Sequence, residues 1–461
     1  MSELPDRSAH QLLAGYKGGA LSPVEVTQAI LARIEAWDRT LNALWTVETE
    51  AALMGARQSE ARWRAGRPVG ALDGVPVTLK ENIATKGTPT PMGTAATDLA
   101  PAADDSPVAA RLRSAGAIIL GKTTMPDYGM LPSGLSSFHR LARNPWDTAR
   151  NPGGSSAGAG AAAAAGYGPL HLGTDIGGSV RLPAGWCGVV GFKPSFGRIP
   201  VDPPYLGRAI GPMTREVADT ALLMGALSGP DPRDTMCLPA AASDWQDLRI
   251  ELRGLRIGLL RHPGLGMDPE PGMVAVAEKV AHSFAAEGAE TEDMPPFMSP
   301  EMLHGLDQFW RMRSWSDYVR LPAERQAKIL PFIRTWIEGA ESLGGLEIYR
   351  GMARIFEISA AANRACGMFD FVISPTSPVS GFPADWPCPA NDVARAIDHI
   401  GFTVAFNMSE QPAISVNGGY TAYGMPIGVQ IAGRRFDDLG VLRMAHAWER
   451  LRPAPRPWPR L

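Results

Sequence analysis

The chain has 461 residues, about 45% of them hydrophobic, a formal net charge of −3 and four cysteines. That is ample for a large core, and length alone would allow two or three domains. Charges are scattered with no basic patch, which excludes nucleic acid. Cys187, Cys237, Cys366 and Cys388 lack CxxC spacing and nearby histidines, which argues against a metal site or a disulfide framework.

The N-terminal stretch has no apolar signal region, and no apolar run approaches the length of a membrane span. A soluble cytoplasmic protein without a membrane partner is expected. Residues 5 to 65 read as helical. Leu12, Leu13 and Tyr16 sit at helical spacing, and Ser22-Pro23-Val24-Glu25 is a helix start with Ser at the cap and Pro at the first position. Val24, Val26, Ile30, Ile34 and Trp37 mark the apolar face.

LDGVPVTLK, Leu72 to Lys80, reads as a turn and a buried strand ending in lysine. A buried lysine without a partner is unusual. Ser106 to Gly121 reads as a helix and then a strand. Met125 to Phe138, MPDYGMLPSGLSSF, is a loop rich in Gly, Ser and large apolar groups.

Asn151 to Pro194 is the densest stretch in residues that let backbone approach backbone. GGSSAG opens an Ala-rich run, Ala159 to Ala165, of high helix propensity and no bulk. A buried helix is predicted from Ser155 or Ser156, with a serine hydroxyl at its positive end. A short strand and the glycine turn DIGGSVR follow, presenting Ser179. The N–H groups of Ile176, Gly177, Gly178 and Ser179 would form a nest for a developing oxyanion.

Gly211 to Asp234 opens with a turn and becomes an amphipathic helix through Val217, Leu222, Leu223 and Leu227. Gly254 to Leu260 is a strand, and a helix with Val276, Val280 and Phe284 follows. Residues 296 to 350 hold Phe309, Trp310, Trp315, Tyr318, Phe332, Trp336 and Tyr349 at helical spacing, a pattern of core packing that also suits a lid. Phe369 to Pro378 is a buried strand. Phe402 to Gly433 gives two strands around a Gly-rich turn. A helix from Asp437 to Arg450 precedes an extended, peripheral Pro-rich tail.

GGSSAG, then DIGGSVRLPA with Ser179 24 positions after Ser155, resembles the amidase signature family. So do the LSPVEVTQAILARIEAWDRTLNALWTV region, GVPVTLKEN and the C-terminal strands, so the resemblance covers most of the chain. It implies one α/β domain over 1–461, with a central mixed, twisted sheet covered by helices on both faces. Within it lie N-terminal helices (1–65), a catalytic core (70–235), the aromatic region (296–350) and C-terminal strands and a helix (369–450). It also implies a Ser–cis-Ser–Lys triad. Ser179 would be the nucleophile, Ser155 the bridging serine and Lys80 the base. Burial would lower the lysine pKa, so that neutral Lys80 takes a proton from Ser155 and Ser155 takes one from Ser179. This chain departs from the family pattern at Ala157 and at Glu81, where Gly or Ser, and Asp, are usual.

No cofactor or metal is required by this chemistry. The expected substrate is a neutral, mostly apolar or aryl amide, or a carbamate, bound by a monomer or homodimer. Met125, Tyr128, Met130 and Leu131 would border it on one side, with Leu135 and Phe138. Tyr205, Leu206, Arg208 and Ile210 would border it on the other. The glutaminase component of a tRNA-dependent amidotransferase would use the same triad, but needs charged groups for both ends of glutamine. An α/β-hydrolase esterase would use Ser156 in Gly154-Ser155-Ser156-Ala157-Gly158, which formally matches G-x-S-x-G. That elbow needs a strand before it, and the prolines of NPWDTARNPGG oppose one. His399 and His446 lie in no recognisable catalytic context. A non-catalytic binding module would not be expected to keep all three triad positions filled.

Overall fold

The computed structural model describes residues 3–240 and 243–461. Eleven strands make one mixed sheet: β1 (Leu44–Val47), β2 (Pro76–Lys80), β3 (Ile118–Thr123), β4 (Leu170–Asp175), β5 (Val190–Lys193), β6 (Ala209–Thr214), β7 (Arg256–Leu260), β8 (Glu290–Met294), β9 (Phe371–Pro375), β10 (Ala413–Tyr420) and β11 (Pro426–Gly433). Their spatial order is β1-β3-β2-β4-β6-β5-β10-β11-β9-β7-β8. β2 runs parallel to β3 and β4, and β7 runs parallel to β8 and β9. The pairs between β4 and β9 are antiparallel.

Strand alternation places the site. Val77 and Leu79 of β2 point into the largest core, with Leu170 and Leu172 of β4 and the helices Pro107–Ser114, Val217–Leu227, Pro271–Ala286 and Asp438–Leu451. Thr78 and Lys80 therefore face the other side. There Thr78 meets His171 at 2.7 Å, and Lys80 meets the segment leading into the helix Ala157–Ala165. Every residue of that helix is buried. A Cβ on Gly158 would lie 2.1 Å from the Ala43 carbonyl oxygen, so the helix sits against the sheet only because this residue has no side chain. On the same side, the helices Pro300–Tyr318 and Gly345–Cys366 pack into a second core that holds Trp310, Trp336 and Ile358.

Several local expectations differ from the structure. The predicted helical stretch 5–65 is interrupted by β1, which pairs antiparallel with β3 at the sheet edge. The turn expected at Gly211 is the interior of β6, buried along its whole length between β4 and β5. The Pro-rich tail is extended and largely exposed as expected, and is also anchored: the Arg215 guanidinium lies 4.4 Å from the Trp458 ring centroid, and Arg460 donates to Asp6 at 2.9 Å. Among the described residues, no helix is long and apolar enough to cross a membrane, and no group of three or more His, Cys, Asp or Glu side chains could hold a metal ion.

Candidate active site

The carboxyl ends of the parallel neighbours β2 and β4 converge, and the reactive side chains gather there. In open α/β sheets this is the usual place for a binding crevice. Lys80 is the last residue of β2 and has no solvent exposure. Its Nζ donates to Ser155 Oγ at 2.8 Å, to Thr174 Oγ1 at 3.0 Å and to Ser156 Oγ at 3.1 Å. All three acceptors are neutral hydroxyls. Burial therefore pulls the Lys80 ammonium down to about 7, although Asp175 and Glu81 favour its charge. Near neutral pH a large share of Lys80 is free amine.

Ser155 follows a cis peptide bond with Gly154. Ser156 is the residue before the first turn of the Ala-rich helix, but its hydroxyl does not cap the helix as expected. It is fully buried and faces β4, within 3.3 Å of the Thr174 carbonyl oxygen, while its N–H donates to the Ser179 carbonyl at 3.1 Å. No strand precedes it. A nucleophile elbow at Ser156 is therefore set aside.

The turn after β4 is built on Asp175. Its carboxylate accepts from the N–H of Gly178 at 2.8 Å and of Val180 at 3.0 Å. Arg181 holds the same carboxylate and reaches on to the Thr403 carbonyl, Gln430 and Asn407. Burial alone would raise the Asp175 carboxyl; Arg181 beside it, helped by Asn407 and Val180, holds it well below the usual carboxylate range. Gly178 has a φ of 124°, and a Cβ there would meet Thr403 Oγ1 at 2.5 Å, so glycine is required.

This geometry corrects one member of the expected nest. The Gly178 N–H is spent on Asp175 and does not point at a ligand. The N–H groups of Ile176, Gly177 and Ser179 have no partner among the described residues. Nor does the Ser179 hydroxyl, which is part-exposed.

Ser179 opens into a cleft with about 480 Å³ of empty space, walled by Met130, Leu131, Leu182, Trp310, Ile397 and Ile400, among others. The expected wall residues divide. Met130 and Leu131 line this cleft. Tyr128, Tyr205 and Arg208 line the adjoining cavity, and Arg313 lines both. Met125 is buried beneath, and Ile210 lies inside β6 in the core, paired with Thr174. Leu206 borders neither cavity.

The sequence reading missed Arg313, Ile397, His399 and Ile400. His399 is buried at the cleft wall and its Nδ1 has no partner; burial pushes its pKa down to about 3, so the ring is neutral. Trp310 stands out in the sequence only as one of several aromatics. Helical spacing shows that a residue is packed, but not that its edge reaches a cleft.

The site holds a buried lysine among hydroxyls, where the Ser-His-Asp arrangement would hold a histidine; the class, a hydrolase of carbon–nitrogen bonds, comes from the family. The sequence matches the family model described as Amidase over residues 25–442, and the chain belongs to that family. It is similar to an acylamidase of Rhodococcus erythropolis, with 34% identity over 97% of this chain and 95% of the relative. It is also similar to a glutamyl-tRNA(Gln) amidotransferase subunit of Chloroflexus aggregans, with 33% identity over 96% of this chain and 95% of the relative. Among solved structures, a bacterial aryl acylamidase of the amidase signature family superposes with a TM-score of 0.90 at 27% identity, covering 96% of each chain.

Proposed function

We propose that this amidohydrolase cleaves a mostly apolar or aryl amide through an acyl-enzyme on Ser179, with carbamates as further substrates. The observation that carries the reading is the 2.8 Å hydrogen bond from the fully buried Lys80 to Ser155, next to the cleft that Ser179 lines.

Ser179 Oγ attacks the carbonyl carbon, and its proton passes to Ser155 as the Ser155 proton passes to Lys80. The carbonyl oxygen, now carrying the charge, is met by the N–H groups of Ile176, Gly177 and Ser179. Each such donor is worth roughly 3 kcal/mol. The C–N bond breaks as the relay returns a proton to the leaving nitrogen, and water then attacks the acyl-enzyme along the same route. Carbamates share the carbonyl–nitrogen unit and its tetrahedral intermediate. The acylamidase relative and the aryl acylamidase structure support an aryl amide, and the amidotransferase subunit at 33% identity keeps free glutamine as the second reading.

The test is a hydrolysis panel of anilides, aliphatic amides, amino-acid amides, carbamates and esters, with adduct mapping by a serine-directed phosphonate. Preferred turnover of anilides and labelling at Ser179 are expected. Preference for glutamine, or labelling at Ser156, overturns the reading.

A further inference from the structure

Beside the Ser179 cleft lies a second cavity, with about 850 Å³ of empty space, lined in part by Met92, Tyr128, Tyr205, Arg208, Arg313 and Asp317. Arg313 lines both cavities, so the two adjoin at its side chain. Two cations converge on one ring here. The Arg208 guanidinium carbon lies 5.3 Å from the Tyr205 ring centroid, and that of Arg313 lies 4.9 Å from it.

Neither guanidinium forms an ion pair among the described residues. The one side-chain hydrogen bond of Arg313 among the described residues is to Met130 Sδ at 3.6 Å. By contrast Arg311, two residues earlier on the same helix, is held by Asp307 at 2.6 Å. Asp317 stands one turn from Arg313, but it is exposed and engages neither arginine. The hydroxyl of the same Tyr205 is buried and has no hydrogen-bond partner among the described residues.

Two like charges held together, each part-buried and each without a carboxylate, are unfavourable unless an anion joins them. Burial and Arg313 both disfavour the charge of Arg208. Guanidinium forks match a carboxylate by paired N–H donors, and a phenol adds a third.

We infer that Arg208, Arg313 and Tyr205 form a carboxylate-binding subsite, so that the amide cleaved at Ser179 carries a carboxylate remote from the scissile bond. This refines the expectation of a wholly neutral substrate. It rests on the proposed function for turnover, but not for binding.

The experiment uses matched pairs. On the acyl side, the 4-nitroanilide of succinic acid is compared with that of butyric acid. On the leaving-group side, 4-acetamidobenzoate is compared with 4-methylacetanilide. At least one carboxylated member is expected to exceed its neutral partner tenfold or more in kcat/KM. Arg313→Gln and Arg208→Gln should abolish that preference, lowering kcat/KM for the carboxylated member at least tenfold more than for its neutral partner. Arg313→Lys, which keeps charge but not the fork, should retain part of it.

Calorimetric titration with benzoate and succinate gives a readout that needs no turnover. Wild type and Ser179→Ala should bind one of them, and the glutamine variants should not. If no anilide is cleaved while carboxylate binding is lost in the arginine variants, the subsite stands and the aryl-amide reading fails. If glutamine outperforms every anilide and loses its advantage in the arginine variants, the subsite again stands and the amidotransferase reading replaces the aryl one. Equal rates within both pairs, with no carboxylate binding, overturn the subsite. So does binding of inorganic phosphate as tight as that of the carboxylates, or equal losses on charged and neutral substrates in variants that melt like wild type.

Discussion

Arg181 holds the carboxylate of Asp175 in a two-pronged grip, Nε at 3.1 Å from one oxygen and a terminal nitrogen at 2.9 Å from the other, with both side chains inaccessible to solvent. The same carboxylate fixes the N–H groups of Gly178 and Val180. Asp175→Ala strands a buried guanidinium, which should cost about 3–5 kcal/mol of stability. Denaturant unfolding should show the loss, and Asp175→Asn should lose less stability while still losing turnover, because the turn that carries Ser179 loosens. A stable, fully active Asp175→Ala enzyme would show that the pair does not shape the turn.

The proposed relay acts as a unit. Ser179→Ala should lower kcat by roughly 10³–10⁶-fold, and Lys80→Ala and Ser155→Ala should each cost several orders of magnitude. The Lys80→Ala/Ser155→Ala double variant should be little slower than either single one. Additive losses in kcat would argue for independent roles.

Turnover should rise as pH increases through about 7, where Lys80 loses its proton. The sign follows from burial: a depressed ammonium pKa makes the free amine the dominant form above that value, not only in strong alkali. Glu81, buried next to it and paired with His139 at 2.7 Å, favours the charged form. Glu81→Gln should therefore shift the acid limb of the kcat profile to lower pH. A shift to higher pH would refute this coupling.

His399 tests the alternative of a histidine base. Its ring is neutral and lines the cleft without touching the Lys80 cluster. His399→Leu should change KM by several-fold and leave the acid limb in place. Loss of turnover together with the limb would return a histidine-based mechanism.

What was legible in the sequence follows from where the constraints are local. Lys80 ending an apolar strand, and Ser155 and Ser179 set in glycine turns, stand out locally, and the resemblance to the amidase signature family joined the three into one candidate site. The Gly178 N–H was misread because its partner, Asp175, is three residues away on the same turn and competes with any ligand for the donor. β1, β5, β6 and β8 were missed for different reasons. β6 reads AIGPMT, with Gly and Pro at interior positions, and is a strand because neighbours pair it on both sides. β8 reads ETEDM, a polar edge strand that leaves no apolar alternation to detect. Arg313, Ile397 and Ile400 reach the cleft through packing of distant helices and turns, which no short-range pattern encodes.

The buried helix Ala157–Ala165 and its glycine contacts separate two kinds of residue in this protein. Beneath the cleft, a methyl group added at Gly158 has nowhere to go, and every helix position is enclosed. The walls at Met130, Trp310, Arg313 and Ile397 come from other parts of the chain and border open space. Heritable change is therefore free in one layer and forbidden in the other. Laboratory selection for new substrates should collect its substitutions in those walls, while the helix beneath them stays silent through every round.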